Sequence, residues 1–248
     1  MSMNAAEQAN QQMVDRLITE GTLWSPRVIE AFRRTPRHLF LERVYQFHRK
    51  QERWREVPTN TLGPEELEIV YSDRALITRL SPPRGGQDAG TGVPISSSSQ
   101  PSLMAQMLED LKLAPGQRTL EVGAGTGYNA ALLAALVGPG RLYSLDVDRA
   151  VLAEAWGHLQ VLPDRQVHFR HADGREGWAE AAPYDRIMVT AATDDLRPAW
   201  LEQLAEDGLL LAPLALAPGL AYLVRGTVTN GIFDGRLTRP AFFMPLRG

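Results

Sequence analysis

The chain has 248 residues, of which 44% are hydrophobic, and its 26 Lys and Arg against 29 Asp and Glu give a net charge of −3. Such a chain can bury a sizeable core, and its near-neutral charge gives no support for a dedicated nucleic-acid-binding protein. The absence of cysteine excludes disulfides, thiolate metal ligands and a cysteine nucleophile. Because residues 1–12 are polar and no apolar run is long and unbroken enough to span a bilayer, we expect a cytoplasmic protein with neither a membrane nor a nucleic-acid partner.

The first part of the chain is predicted to be mainly helical. Apolar residues recur at helical spacing between residues 14 and 45, and Gly21 and Pro36 divide them into two or three short helices. Residues 48–56 carry four basic and two acidic side chains around Trp54. This pattern is typical of a solvated helix end, although a contact for nucleic acid or an acidic peptide has the same composition.

Polar and Gly-rich stretches follow these helices. Residues 82–92 are rich in Gly and Pro, which predicts an exposed, mobile loop. The four serines at 96–99 are too polar to be predicted as core. We therefore predict an N-terminal segment over residues 1–100 that contains helices, an extension and a polar loop.

From Pro101 onward, predicted helices alternate with short apolar strands. Helices are predicted over residues 103–111, 130–137, 150–160 and 197–205, and strands over 118–122, 141–147, 166–170, 184–190 and 209–213. The last strands, 221–228 and 241–245, are predicted to form an antiparallel pair. The alternation indicates an α/β fold, a doubly wound Rossmann-like sheet with an antiparallel C-terminal edge, which we assign to residues 101–248.

A glycine-rich loop between a predicted strand and a predicted helix is the strongest candidate for a ligand site. It reads Glu121-Val-Gly123-Ala-Gly125-Thr-Gly127-Tyr128. Glycines let the backbone approach a ligand, and N–H groups at a helix start attract a carboxylate or phosphate. Tyr128 stands where a dinucleotide fingerprint has its third glycine, so the spacing resembles instead the first motif of class I methyltransferases that use S-adenosylmethionine. Glu121 is predicted to lie near the ligand's amino group or to accept hydrogen bonds within the loop.

Two aspartates stand at the ends of the next predicted strands. Asp146, followed by Val147, lies 23 residues after Gly123 (146 − 123), where a carboxylate can accept hydrogen bonds from both hydroxyls of a ribose. Asp173-Gly174 follows the strand after that, where the carboxylate can accept from the amine of an adenine. Each aspartate alone is also compatible with a turn or a helix cap. The five histidines show no paired metal-ligand spacing, so no metal site is predicted.

Longer motifs resemble the protein-L-isoaspartate O-methyltransferase family. Residues 119–131 follow the family's first motif, VLEIGTGSGYQAA, almost position by position. Further similar segments lie at 13–16, 28–40 around Thr35-Pro36-Arg37, 71–76, 99–101, 173–178, 184–192 and 243–248. The resemblance covers most of the chain except about 47–70 and 79–95.

The resemblance implies an S-adenosyl-L-methionine-dependent carboxyl O-methyltransferase that acts on isoaspartyl or aspartyl residues of proteins or peptides. It implies that the cofactor-binding residues are Glu121, Gly123, Gly125, Gly127, Asp146, Val147, Asp173 and Gly174. It places Ser99 at the family's functional serine and Ser97 at the preceding threonine of its loop G-Q-T-I-S-Q-P. These two serines are the candidate catalytic residues, because a small hydroxyl can orient a carboxylate without neutralising it.

Two departures from the family leave alternatives open. The glycine and glutamine of the substrate loop are replaced in Ile95-Ser-Ser-Ser-Ser-Gln-Pro101, and residues 47–70 and 81–92 are added near it. Added walls would suit an enzyme that methylates aspartyl residues of one dedicated peptide, with collapse of the ester to a succinimide. A binding module that has kept the fold and lost catalysis is the alternative from another class. The sequence predicts no particular oligomeric state.

Overall fold

The structure is a computed structural model that describes residues 4–83, 89–218 and 220–248. The chain forms two compact units, Met1–Ala105 and Gln106–Gly248. Residues 84–88 of the loop predicted at 82–92 lie outside the described residues. In the ranges that are described, no helix is both long and apolar enough to cross a membrane.

Within its described residues, the first unit combines three short helices with a four-stranded antiparallel sheet. Helices α1 to α3 span Ala5–Thr19, Pro26–Arg33 and Pro64–Val70, 3₁₀ turns lie at Arg37–Phe40 and Ala89–Thr91, and strands β1 to β4 span Arg43–His48, Arg53–Pro58, Leu76–Leu80 and Pro94–Ser98. The strand order is β2-β1-β3-β4. A capping box of Asn4 and Glu7 starts α1, and prolines start α2 and α3. The short helices predicted between residues 14 and 45 are confirmed up to Phe40, the first of them begins earlier, at Ala5, and residues 43–45 belong to β1 instead.

The prediction of a solvated helix end at residues 48–56 is wrong, because β1 and β2 form an antiparallel hairpin there. Phe47 pairs with Trp54, and His48 with Arg53. The alternation that marks a strand is weak here, since Val44 is fully buried while its neighbours in β1 are half-buried or exposed. A charged hairpin with one buried residue in its first strand therefore resembles a helix surface in sequence.

The expectation that the serine run stays out of the core is wrong for alternate residues. Strand β4 leaves Ser96 and Ser98 only 8% and 2% exposed. Thr78 donates to Oγ of Ser96 at 3.3 Å, and Nε of Arg37 donates to Oγ of Ser98 at 3.3 Å. Buried hydroxyls are tolerated when they find such partners.

The second unit is built, over its described residues, on a seven-stranded sheet. Helix α4, Pro101–Leu111, spans the junction of the units; α5 to α7 span Tyr128–Val137, Arg149–Leu159 and Pro198–Glu202, and β5 to β11 span Thr119–Val122, Leu142–Asp146, Val167–His171, Tyr184–Val189, Leu204–Ala217, Leu220–Thr229 and Ile232–Pro240. The strand order is β11-β10-β9-β8-β5-β6-β7, with β5 to β9 parallel and the last two strands antiparallel. The predicted doubly wound fold with an antiparallel C-terminal edge is confirmed.

The order of the strands reverses at β5, which has β6 on one side and β8 on the other. At such a reversal the crossover connections leave in opposite directions and open a crevice at the carboxyl ends of the strands. The apolar residues of β5 and β8, among them Leu120, Val122 and Ile187, lie in one buried cluster that supports this edge. A ligand site is therefore expected where β5 and β6 end.

The predicted partner of residues 221–228 is wrong, because β10 pairs with β11 and not with 241–245. Asn230 and Gly231 join the two strands with φ of 52° and 73°, the left-handed angles of a tight two-residue hairpin turn. Pro245 forms an isolated parallel bridge with Ala192 instead. Two predicted elements have different bounds in the structure. The helix predicted at 197–205 is shorter at both ends, as α7, and the strand predicted at 209–213 is longer at both ends, as β9.

Candidate functional site

The glycine-rich loop connects the end of β5 to the start of α5. Gly123, Gly125 and Gly127 have φ of 102°, 53° and 83°, a region that side-chain-bearing residues rarely adopt. A Cβ atom on Gly123 would lie 2.5 Å from Oγ1 of Thr190. The loop therefore carries no side chain at these three positions, and its backbone can approach a ligand closely.

Asp146 lies beside this loop at the end of β6. Its Oδ2 accepts a hydrogen bond from the N–H of Gly125 at 3.2 Å, and its Oδ1 from the N–H of Asp148 at 3.0 Å. Burial raises the pKa of Asp146, and these two hydrogen bonds oppose the rise. A carboxylate has about four acceptor positions, so each oxygen keeps capacity for a ligand hydroxyl. The carbonyl of Val147, the next residue, lies 3.0 Å from Nε2 of His171.

Glu121 is placed in the core beneath the loop and is fully buried. Its carboxylate accepts a hydrogen bond from Nδ2 of Asn129 at 2.7 Å and another from the hydroxyl of Ser144. Burial raises the pKa of Glu121 to about 7, against the opposing effect of these two bonds. The side chain therefore joins β5, β6 and α5, and its contacts are those of a structural residue.

Asp173 follows β7 and is engaged by Arg175. Its Oδ1 accepts from the main-chain N–H and Nε of Arg175 at 2.9 and 3.0 Å, and its Oδ2 from Nε and Nη2 at 2.9 and 2.6 Å. The Arg175 guanidinium holds the pKa of Asp173 below its usual range. An adenine amine could bond to this carboxylate only if Arg175 moved aside. The adjacent Gly174 packs on β5 so closely that a Cβ would overlap Cγ1 of Val122.

Thr190 also supports the loop, although the sequence analysis assigned it no role. It follows β8, and its Oγ1 lies 2.7 Å from the carbonyl oxygen of Gly123 and 3.1 Å from that of Val122. The signal that could have identified it is a hydroxyl residue directly after a buried strand, within the similar segment at residues 184–192.

The predicted catalytic serines lie in the first unit, in and just after β4. Ser97 and Ser99 are half-buried, whereas Ser98 between them faces the interior. Among the residues that the structure describes, none bonds to the hydroxyl of Ser97 or Ser99. Both hydroxyls therefore keep the capacity to bond to a ligand, while the hydroxyl of Ser98 is used by Arg37.

Asp73 fixes the chain that follows these serines. Its Oδ2 accepts from Nε2 of Gln100 at 2.8 Å, and its Oδ1 from the N–H of Ser102 at 2.8 Å. Burial raises the pKa of Asp73, but these bonds and the charge of Arg16 outweigh it, so the pKa is lowered. Asp73 belongs to the motif at 71–76, for which the sequence suggested a resemblance but no contact.

The parallel sheet, the glycine loop at its switch point and the aspartate at the end of the adjacent strand define a class I methyltransferase. The family model described as protein-L-isoaspartate(D-aspartate) O-methyltransferase matches residues 7–248. The chain therefore belongs to the protein-L-isoaspartate O-methyltransferase family.

Similarity to individual proteins extends over nearly the whole chain. The protein-L-isoaspartate O-methyltransferase of Halorhodospira halophila is 38% identical over 243 residues, which are 97% of this chain and 92% of that protein. A solved protein-L-isoaspartate O-methyltransferase has a TM-score of 0.76 at 28% identity, over 96% of this chain and 66% of its own. A candidate protein-L-isoaspartate O-methyltransferase from Plasmodium falciparum, solved with S-adenosyl-L-homocysteine, shares the fold with a TM-score of 0.70 at 18% identity and covers 99% of both chains.

Proposed function

We infer that the chain is an S-adenosyl-L-methionine-dependent carboxyl O-methyltransferase that acts on isoaspartyl residues of proteins or peptides. The observation that carries this inference is the family match over residues 7–248, on a fold with the glycine loop that such an enzyme needs. We propose further that it acts in the cytoplasm.

The residues around the glycine loop fit the cofactor. Three glycines with left-handed φ leave room beside the loop, and the Cβ that Gly123 lacks would collide with Thr190. Asp146 adds a carboxylate that retains acceptor capacity, which suits the two hydroxyls of a ribose. We propose that Gly123, Gly125, Gly127, Asp146, Val147 and Gly174 form the cofactor site, with Glu121 supporting it from the core. Asp173 belongs to the same proposal, on the condition that Arg175 moves aside.

The substrate carboxylate is the nucleophile. Its ordinary pKa is near 4, so it is ionised at neutral pH and needs no general base. When bound, the cofactor supplies a methyl group on a positively charged sulfur. We propose that Ser97 and Ser99 donate hydrogen bonds to the carboxylate and fix its approach without pairing its charge as an arginine would. In this proposal residues 1–100 orient the substrate and residues 101–248 hold the cofactor.

A second candidate function keeps the chemistry and changes the acceptor. The hairpin β1–β2 belongs to the same sheet as the serine strand β4. This arrangement favours an enzyme whose substrate peptide contacts the hairpin as well as the serine strand. Such an enzyme would methylate aspartyl residues of one dedicated peptide, and the next backbone nitrogen would then displace methanol to give a succinimide. Membership of an enzyme family and the two unbonded serine hydroxyls weigh against the third possibility, a binding module without catalysis.

The test is an assay with labelled S-adenosylmethionine on paired isoaspartyl and aspartyl peptides of one sequence. Base-labile methyl ester on the isoaspartyl member alone is the expected result. Ester on the aspartyl member alone supports the dedicated-peptide enzyme. Cofactor binding by calorimetry, with no ester on either peptide or on a proteome rich in isoaspartate, would contradict both.

A further inference from the structure

Around Val44, Leu76 and Ser98, the sheet of the first unit has one buried face, and the opposite face is partly exposed. Directly opposed residues of antiparallel strands point to the same side, and successive residues alternate. Ser98 opposes Leu76, and these two, with Val44, are 2%, 8% and 1% exposed, so they mark the buried face. The alternate residues of the same strands must lie on the other face.

That other face carries Ser97. Ser97 opposes Ile77 on β3, and Ile77 opposes Tyr45 on β1. All three side chains are half-buried, and the Tyr45 hydroxyl donates to Glu56 on β2 at 2.8 Å. The candidate catalytic strand is thus continuous, on one side of the sheet, with the first strand of the added hairpin.

The same face ends in an aromatic pair on the hairpin. Phe47 lies two residues beyond Tyr45, opposes Trp54 and is 49% exposed. The two rings meet edge to face with 5.1 Å between their centroids. Phe47 is thus an exposed apolar ring supported by the half-buried Trp54, and exposed aromatic rings are typical of contact surfaces.

We propose that the serine face, defined as Ser97, Ile77, Tyr45, Phe47 and Trp54, binds apolar side chains that flank the modified residue in the peptide substrate. This inference rests on the proposed function, because it takes Ser97 as the contact for the substrate carboxylate. Strands are about 4.8 Å apart and rise about 3.4 Å per residue, so Phe47 and Trp54 lie about 12–16 Å from Ser97. An extended peptide covers that distance in about four or five residues.

The register supplies matched variants. The Phe47→Ser, Trp54→Ser double variant removes the aromatic pair, and the Gln46→Ser, Arg55→Ser double variant changes the adjacent opposed pair, which is exposed on the other face. Each is assayed on a five-residue isoaspartyl peptide, with two residues on either side, and on fifteen-residue peptides that carry Leu and Phe four and five residues before or after the isoaspartyl residue. Thermal melts verify that both variants fold.

We expect the aromatic double variant to raise KM for at least one fifteen-residue peptide about ten-fold, with kcat and the KM of the five-residue peptide unchanged. The control variant should match the wild type on all peptides. An unchanged KM for every long peptide in a folded aromatic variant, or an equal rise for the short peptide, would overturn the inference.

Two further outcomes distinguish a failure of this inference from a failure of the proposed function, and peptide binding from binding of a second copy of the chain. A wild-type protein that methylates none of these peptides rejects the proposed function itself. Sedimentation tests whether a second copy of the chain covers the serine face. A wild-type dimer that becomes a monomer only in the aromatic variant would overturn the peptide assignment.

Discussion

Nη2 of Arg37 donates a hydrogen bond to the main-chain carbonyl of Ser99, with 2.9 Å between the two atoms. The Arg37 side chain is fully buried, and it also donates to the carbonyls of Val70, Ser72, Arg74 and Ser98 and to the hydroxyl of Ser98. One planar guanidinium therefore ties the segment 70–74 to the end of the serine strand. Arg37 is a positioning residue for Ser99.

We expect Arg37→Lys to lower both stability and turnover while the affinity for the cofactor stays unchanged. Lysine has three donors without the planar fork, so at least two buried carbonyls lose their partner, at about 1–3 kcal/mol each. Urea unfolding and the kcat of methylation measure the two effects. The matched control is Arg43→Lys, at a half-exposed side chain that pairs with Glu42. A variant as stable and active as the wild type would show that the carbonyls are satisfied in another way.

Asp146→Ala should raise the dissociation constant of the cofactor at least ten-fold. Hydrogen bonds to a charged group are worth about 1.5–3 kcal/mol, and up to two ribose bonds are lost. Calorimetry with S-adenosylhomocysteine measures the change. Asp148→Ala is the control, because Asp148 caps α6 through the N–H groups of Ala150 and Val151 and its loss should reduce stability by about 1 kcal/mol without affecting affinity. Equal affinities of the two variants would remove Asp146 from the site.

Ser99→Ala should lower turnover about 10- to 1,000-fold, as expected for one orienting hydrogen bond of about 1.5–4 kcal/mol. Cofactor affinity should persist, because the serine orients the accepting carboxylate only. The Ser97→Ala, Ser99→Ala double variant should lose more than the product of the single effects, since Ser97 can partly substitute. Ser98→Ala is the control on the buried face and should change the melting temperature more than kcat. Full turnover by the double variant would show that the serine run only links two segments and has no part in catalysis.

Glu121→Gln should change how stability depends on pH. Burial raises the pKa of Glu121 to about 7 from its ordinary value of 4.5. The stability that this group contributes is therefore fully present below pH 4.5 and is lost as the pH rises through about 7, by up to about 3 kcal/mol. The wild type should lose stability relative to the variant between pH 5 and pH 8 in urea unfolding. Glu202→Gln, at an exposed position, is the control for the effect of removing one carboxylate from the protein. Parallel curves for the wild type and Glu121→Gln would contradict the raised pKa.

Gly123→Ala and Gly116→Ala separate backbone strain from loop geometry. Both glycines have positive φ, 102° and 84°, but only the Cβ at 123 meets Thr190, while nothing lies within 4 Å of one at 116. Each variant should lose about 1–2 kcal/mol of stability. Only Gly123→Ala should also weaken cofactor binding, by ten-fold or more, which corresponds to about 1.4 kcal/mol. Equal cofactor affinity of the two variants would mean that the loop is misassigned.

The parts of the site that could be predicted from sequence are those encoded by neighbouring residues. The glycine loop is contiguous, so the strand, turn and helix around Gly125 were identified together, and Asp146 followed from the length of one βαβ unit. The Asn230-Gly231 turn was equally local, but the pairing was assigned to a more distant apolar run. The role of Asp173 toward a ligand stays a prediction, and its hydrogen bonds to Arg175, two residues later, are also local in sequence.

The parts that could not be predicted depend on segments far apart in the chain. Arg37 looks like a surface residue, and its burial requires carbonyls 33 to 62 residues away to converge on it. The hairpin around Trp54 is not predicted because Val44 is the one fully buried residue of β1, so the alternation typical of a strand is weak. The charge of residues 48–56 indicates a solvated segment, whereas the contacts that bury Arg37 have no local signal in the sequence.

The central position of β5 also means that parts of the glycine-loop site are synthesised at different times. The glycine loop follows the first strand of the second unit, but Thr190, whose hydroxyl holds the carbonyl of Gly123, is added 67 residues later. At about 5–20 residues per second, a ribosome needs about 3–13 seconds to cover that interval. During it, the nascent chain carries the complete motif without the strand and the hydroxyl that shape it. The hydrogen bond that fixes the carbonyl of Gly123 can therefore form only after this later strand has been synthesised.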